Sequence, residues 1–332
     1  MAFAWKRANP IGSLKLLLSH HQLIGLATID FIILLPLLLG VTFTAFCLLR
    51  GLPGDPVYSM VGERATPETI ESIRKEIGAD KGFAAQYLGY LKLIVSGNFG
   101  RSYYSNRDVL SDIAAKLPNT IKLAFAAMAI AVPCGMTAGM IMAYRKGRLS
   151  ERLFSMISIG GLSLPVFWVG LMAMLIFSLQ LKLLPPSGTG GLRFLILPAF
   201  VLAVPALSSL ARVAAATIEE TMGLPYVRTA KAKGLVPMKI AAVHVLKNAL
   251  IPIVTIIGLD FGSYLSGAVV TETIFGWDGI GRFTMEGIIM RDYPVIMGCI
   301  ITCTAVFVIV NMLTDILYHY LDPRIRFHGQ DR

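Results

Sequence analysis

The sequence predicts an all-α polytopic membrane protein with six transmembrane helices, both termini cytoplasmic and a helical external segment after helix one. Three observations predict it. The 332 residues are 55% hydrophobic and only 15% charged, where soluble domains carry about 25% charged residues. Six apolar runs are long enough to cross a hydrocarbon core about 30 Å thick, which takes roughly 20 helical residues. Lys and Arg are concentrated in alternate short links, the asymmetry that sets orientation in a membrane. The same composition excludes a disordered chain, a coiled coil and a disulfide-stapled secreted module. The net charge of +10 resembles that of a nucleic-acid binder by number alone, and only its placement along the chain decides the matter.

Residues 1–22 form a cytoplasmic segment with Lys6, Arg7 and Lys15, and residues 23–49 form helix one, interrupted only by Asp30. This run is about twice a signal-peptide core, and no small-x-small cleavage site precedes Arg50, so the helix is expected to be retained. Phe46 before Cys47 argues against a lipoprotein cysteine. The external segment, 50–117, is close to charge-neutral. Within it Thr66-Pro67-Glu68 reads as an N-cap, first-turn proline and dipole-matched acid, with Gly78 as the stop. Two further amphipathic stretches, Phe83 to Val95 and Val109 to Leu117, predict short helices on the outer face. Residues 118–320 hold the other five spans: Leu123 to Ala143, Leu153 to Leu181, Phe194 to Ala211, Ala249 to Val270 and Val295 to Leu313. Residues 321–332 form a cytoplasmic tail.

Orientation follows from the short links. Arg145, Lys146, Arg148 and Arg152 join helices two and three, while Arg228, Lys231, Lys233, Lys239 and Lys247 lie between helices four and five. The opposite side carries only Lys182 with Arg193 and Arg282 with Arg291. The basic residues are therefore topological determinants, and no nucleic-acid partner is expected.

Inside the spans, Gly135 with Gly139 and Gly258 with Gly262 have the four-residue spacing that lets helix backbones approach closely. Pro133, Pro165, Pro198 and Pro205 predict kinks. Asp260 is the one ionisable residue well inside a span. It costs about 3 kcal/mol on insertion scales, which about six apolar neighbours at roughly 0.5 each offset. Two readings stand for it: a translocation-path residue, together with Gly258 and Gly262, or a buried structural hydrogen bond. Cys47, Cys134, Cys299 and Cys303 lie in apolar runs and read as small hydrophobes. Neither they nor the five histidines form a metal-ligand pattern, so no metal or cofactor is expected on this chain. No G-x-x-x-x-G-K-[ST], H-E-x-x-H or G-x-S-x-G occurs, so no P-loop hydrolyses ATP here and an enzyme reading has no motif behind it.

The link over 217–248 is the longest on the cytoplasmic side and reads as helical. Tyr226-Val-Arg228-Thr229-Ala230-Lys231-Ala-Lys233-Gly234 places Ala230 and Gly234 on one face with basic edges. Such a helix suits either docking against a protein or resting on anionic headgroups.

Arg228-Thr-Ala-x3-Gly234 resembles the variant "EAA" loop of ATP-binding-cassette importer permeases of the dipeptide, oligopeptide and nickel branch. Further motifs follow in that family's order: Pro53-Gly-Asp-Pro56, Gly97-Asn-Phe-Gly-Arg-Ser102, Leu117-Pro-Asn-Thr120, Lys247-Asn-Ala-Leu-Ile-Pro252, Thr271-Glu-Thr-Ile-Phe-Gly-Trp277 with Gly279-Ile-Gly281, Arg291-Asp-Tyr-Pro294 and Leu321-Asp-Pro-Arg-Ile-Arg326. Arg228 and Thr229 replace the general motif's Glu and Ala, and Asp278 stands where many relatives have proline. The resemblance implies a multi-pass protein of the bacterial inner membrane whose loop helix couples to a separate ATPase through Tyr226, Arg228, Thr229, Ala230, Lys231, Lys233 and Gly234. It further implies two ATPase subunits that bind the ATP, a second permease in a heterodimer, and an external substrate-binding protein. Dipeptides, longer peptides, nickel chelates and opine-like conjugates lie within the branch's range. A secondary transporter or channel without ATPase partners is the alternative reading.

Overall fold

The computed structural model describes residues 34–49, 66–76 and 80–321. Segment 1–22, the first part of the first apolar run, Pro53 to Pro56, Gly78 and the tail beyond Leu321 lie outside the described residues. The described chain is nearly all helix: α1 Leu34–Leu49, α2 Pro67–Glu76, α3 Phe83–Val95, α4 Val109–Tyr144, α5 Leu149–Ser163, α6 Val166–Gln180, α7 Leu192–Gly223, α8 Pro225–Ala232, α9 Pro237–Leu265, α10 Val269–Ile274, α11 Ile280–Met290 and α12 Tyr293–Leu321.

Four of these, α4, α7, α9 and α12, are long and apolar enough to cross a membrane. The run from Leu153 to Leu181 is not one straight helix, because α5 and α6 meet at 103°. Pro165 causes the break. The residue before a proline is driven out of the helical region, and Leu164 is extended at φ −80°, ψ 129°. The pair makes a fifth span if both halves are counted as one.

Three expected boundaries also move. The predicted short helix from Val109 and the second span fuse into the 36-residue α4, with Pro118 and Pro133 in its interior. Its start is fixed by Asp108, whose carboxylate accepts the Ser111 N–H at 2.8 Å. Likewise α7 continues past Ala211 to Gly223, and α9 already begins at Pro237.

The core is a seam between α4 and α7. Ala127, Ala131, Ala203 and Ala206 are buried along it, with Leu123 and Leu202 between them. A Cβ on Gly135 would lie 2.9 Å from the Leu207 carbonyl oxygen, and one on Gly139 would lie 2.6 Å from the Ala214 Cβ. Lipid gives helices no hydrophobic reason to associate, so close backbone packing through small residues has to supply the attraction.

Candidate functional site

The short helix α8 begins where Pro225 ends α7, with Leu224 held extended at ψ 148°. Its two sides differ. Val227 and Ala230 are buried in one cluster with Ala143 of α4, Leu210, Ala214 and Ile218 of α7, and Ile240, Val245, Ala249 and Ile253 of α9. Tyr226, Arg228, Thr229, Lys231, Lys233 and Gly234 are exposed. The Tyr226 hydroxyl donates to the His244 carbonyl at 3.3 Å, and the Asn248 amide donates to the same oxygen at 2.8 Å. At the base of the cluster Lys146 pairs with Glu219.

This geometry corrects the expected docking face. Ala230 does not share an outer face with Gly234. It is 5% exposed, and its small side chain lets α8 lie close on its own bundle. Gly234 ends the helix at φ +74°, a left-handed conformation that glycine adopts without steric cost. The Gly234 N–H donates to the Lys231 carbonyl and the Leu235 N–H to the Ala230 carbonyl, the paired bonds of a Schellman cap. The missed signal was this pattern itself: two inward positions three apart, then Gly just past the helix end.

The three candidate path residues do not form one site. On a helix of 3.6 residues per turn, positions two apart point in nearly opposite directions. Gly258 and Gly262 face α12, where an added Cβ would collide with Thr314 and come within 3.2 Å of the Phe307 ring. Asp260 faces α7 instead, where Ser209 Oγ donates to its carboxylate at 3.3 Å. One turn on, the Tyr264 hydroxyl donates to the Leu202 carbonyl at 2.8 Å. The two glycines are packing positions.

At the other end, two ties join distant motifs. In the first, Glu272 is fully buried. It accepts the Thr120 hydroxyl at 2.8 Å and the Arg282 N–H at 3.0 Å, while Thr120 Oγ1 accepts the Ile280 N–H at 2.9 Å. The Trp277 indole donates to the Asn119 carbonyl at 3.0 Å, the Asn119 amide donates to the Asp278 carbonyl at 2.8 Å, and Lys116 pairs with Asp278. Burial pushes the Glu272 carboxyl above the ordinary carboxylate range, and its hydrogen bonds from Arg282 and Thr120 draw it part of the way back. In the second tie, Asp292 accepts the Ser102 hydroxyl at 2.5 Å and the Tyr103 and Tyr104 N–H groups at 3.1 and 3.3 Å. Glu272 and Asp292 lie within motifs visible in the sequence, but nothing local singles out either carboxylate, because their donors lie far away in the chain.

The chain resembles known proteins along most of its length. The family described as binding-protein-dependent transport system inner membrane component matches residues 135–327, and its N-terminal counterpart matches residues 24–124. A di/tripeptide transport system permease protein of Pseudomonas aeruginosa is 38% identical, over 89% of this chain and 96% of the relative. A dipeptide permease of Escherichia coli is 34% identical over 89% and 96%, and a glutathione permease of the same species is 36% identical over the same shares. Among solved structures, a chain of the inward-facing MetNI methionine ABC transporter superposes with a TM-score of 0.53 at 15% identity, over 64% of this chain and 97% of that one. The chain belongs to the family of inner-membrane permease components of binding-protein-dependent ATP-binding-cassette importers.

Proposed function

We propose that this permease carries dipeptides or similarly short peptides, pairs with a second permease, and receives the ATPase stroke through α8. Both termini are cytoplasmic in this reading, two ATPase subunits bind and hydrolyse the ATP, and an external binding protein delivers the substrate. One observation carries the coupling assignment: α8 is two-sided. Its inner residues Val227 and Ala230 are locked into a cluster shared by α4, α7 and α9, while its basic outer edge is free for a partner. Displacement of the outer edge therefore moves three spans together, since a close-packed interior transmits strain. The substrate class follows from the relatives, which are named for dipeptides, di/tripeptides and glutathione.

The test is a tagged permease coexpressed with its neighbouring transport genes. Arg228→Glu with Lys231→Glu reverses two outer charges and leaves Val227 and Ala230 in place. The ATPase subunit is then lost from the purified complex while membrane insertion is normal. Full copurification together with undiminished ATP-dependent dipeptide uptake would overturn the assignment of α8.

A further inference from the structure

The helix α3, FAAQYLGYLKLIV, carries a single charge, Lys92. It reads from sequence as part of an external segment, and its contacts bear on the depth at which it sits. The level of the membrane surface is marked twice. The first apolar run ends at Leu49, followed by Arg50, and α12 begins at Tyr293, after Arg291 and Asp292. These two ends meet, because the Tyr293 hydroxyl donates to the Leu49 carbonyl at 3.0 Å.

The contacts of α3 lie well inward of that level. The Tyr87 hydroxyl donates to the Leu39 carbonyl at 3.1 Å and lies 3.1 Å from the Thr42 hydroxyl. Its ring packs at 5.4 Å from both Phe43 and Phe46, and Phe83 packs at 5.1 Å from Phe46. Tyr87 and Tyr90 also rest on a cluster containing Ile296, Met297 and Ile300 of α12. Leu39 is ten residues from the end of α1, about 15 Å at 1.5 Å per residue. That is roughly half of a 30 Å hydrocarbon core. On its far side α3 exposes Leu88 (63%), Leu93 (44%) and Val95 (89%).

We propose that α3 is embedded in the outer leaflet, with Leu88, Leu93 and Val95 against lipid acyl chains and Lys92 extending toward the headgroups. A long cationic side chain can lay its stem on apolar surroundings while its charge reaches the polar layer. The proposal rests on the reading of Leu23 to Leu49 as a membrane span. The segment after helix one thus adds lipid-facing surface to the permease.

The test uses the complete importer in proteoliposomes, with the four native cysteines replaced. An environment-sensitive fluorophore is attached at Leu88→Cys and, separately, at Gly89→Cys, whose Cβ meets nothing within 4 Å and so leaves folding undisturbed. Quenchers are nitroxides at shallow and deep acyl positions, and aqueous iodide. Leu35→Cys on α1 reports the span itself, and Tyr104→Cys reports the water phase. Loss of fluorescence with acyl nitroxides at both α3 sites, with little loss to iodide, is the expected result. Iodide quenching like that of Tyr104 overturns the proposal, as does protection from both quenchers, which would mean a protein neighbour on this face. Failure of the Leu35 label to sense lipid removes the span reading, and the proposal falls with it.

Discussion

Replacing Glu272 by Gln tests whether the tie between Thr120 and Glu272 is held by a carboxylate rather than by packing. Both carboxylate oxygens accept. The Thr120 hydroxyl reaches one at 2.8 Å and the Arg282 N–H reaches the other at 3.0 Å. Thr120 already accepts the Ile280 N–H at 2.9 Å, so its own proton is committed to Glu272. Glutamine retains one accepting oxygen and turns an NH2 group toward the second donor. Glu272 is 0% exposed, which denies the orphaned donor a bulk-water partner, and a buried unpaired donor costs about 1–3 kcal/mol. Thr120→Val removes the matching donor and orphans the Ile280 N–H at a similar cost. The two substitutions share one hydrogen bond, so the double variant should lose less than the sum of the singles. The pH dependence has a definite sign. Burial raises this carboxyl above its ordinary 4.5, so the native state holds the proton to higher pH than the unfolded chain does. The wild-type advantage over the Gln variant therefore narrows as pH rises from 4.5 through the raised native value. The assay is heat-induced loss of the monodisperse complex in detergent for wild type, both singles and the double. Equal stability of wild type and the Gln variant, or strict additivity with Thr120→Val, would refute the reasoning.

Three further outcomes follow from the same geometry. Gly139→Ala places a methyl group 2.6 Å from the Ala214 Cβ and 2.8 Å from the Ala211 carbonyl oxygen, so it should destabilise by about 1–3 kcal/mol, whereas Gly160→Ala, opening into free space, should not; thermal scans of the two variants compare them directly. Gly234→Ala forces a side chain onto φ +74° at about 1–2 kcal/mol, while Asn tolerates that region better, so ATP-coupled uptake should fall in the order Gly, Asn, Ala. Asp292→Asn leaves one of the donors from Ser102, Tyr103 and Tyr104 poorly paired at a site only 3% exposed, and limited proteolysis from the external side should cut around residues 101–108 faster than in wild type.

The features legible in the sequence are the ones with local causes. Apolar runs give the spans, Pro165 gives a break, and glycines four apart give close seams. What stayed hidden was whatever depends on a neighbour. Pro165 announces a kink, but a turn of 103° is set by how α5 and α6 each pack on the rest of the bundle. The face of α8 is not legible in the sequence because in an eight-residue helix an inward Ala and an outward Ala look alike until the supporting cluster is known. The apolar composition of α3 was visible, but its depth becomes readable only through Tyr87 reaching Leu39. The motifs that carried the family resemblance make the same point from the other side. Thr120 and Glu272 are 152 residues apart, and Ser102 and Asp292 are 190 apart, so no local pattern pairs them. In space they form two buried hydrogen-bonded ties that fasten α4 and the chain before it to the segment running from α10 into α12. The cost of a buried polar group fits their place in the motifs: each carboxyl has several donors aimed at it, and changing any donor leaves a buried acceptor short of a partner. At the opposite end, Val227 and Ala230 join α4, α7 and α9 through apolar contact alone. The chain is thus tied by buried polar contacts at one end and chiefly by close packing at the other, with α4 common to both.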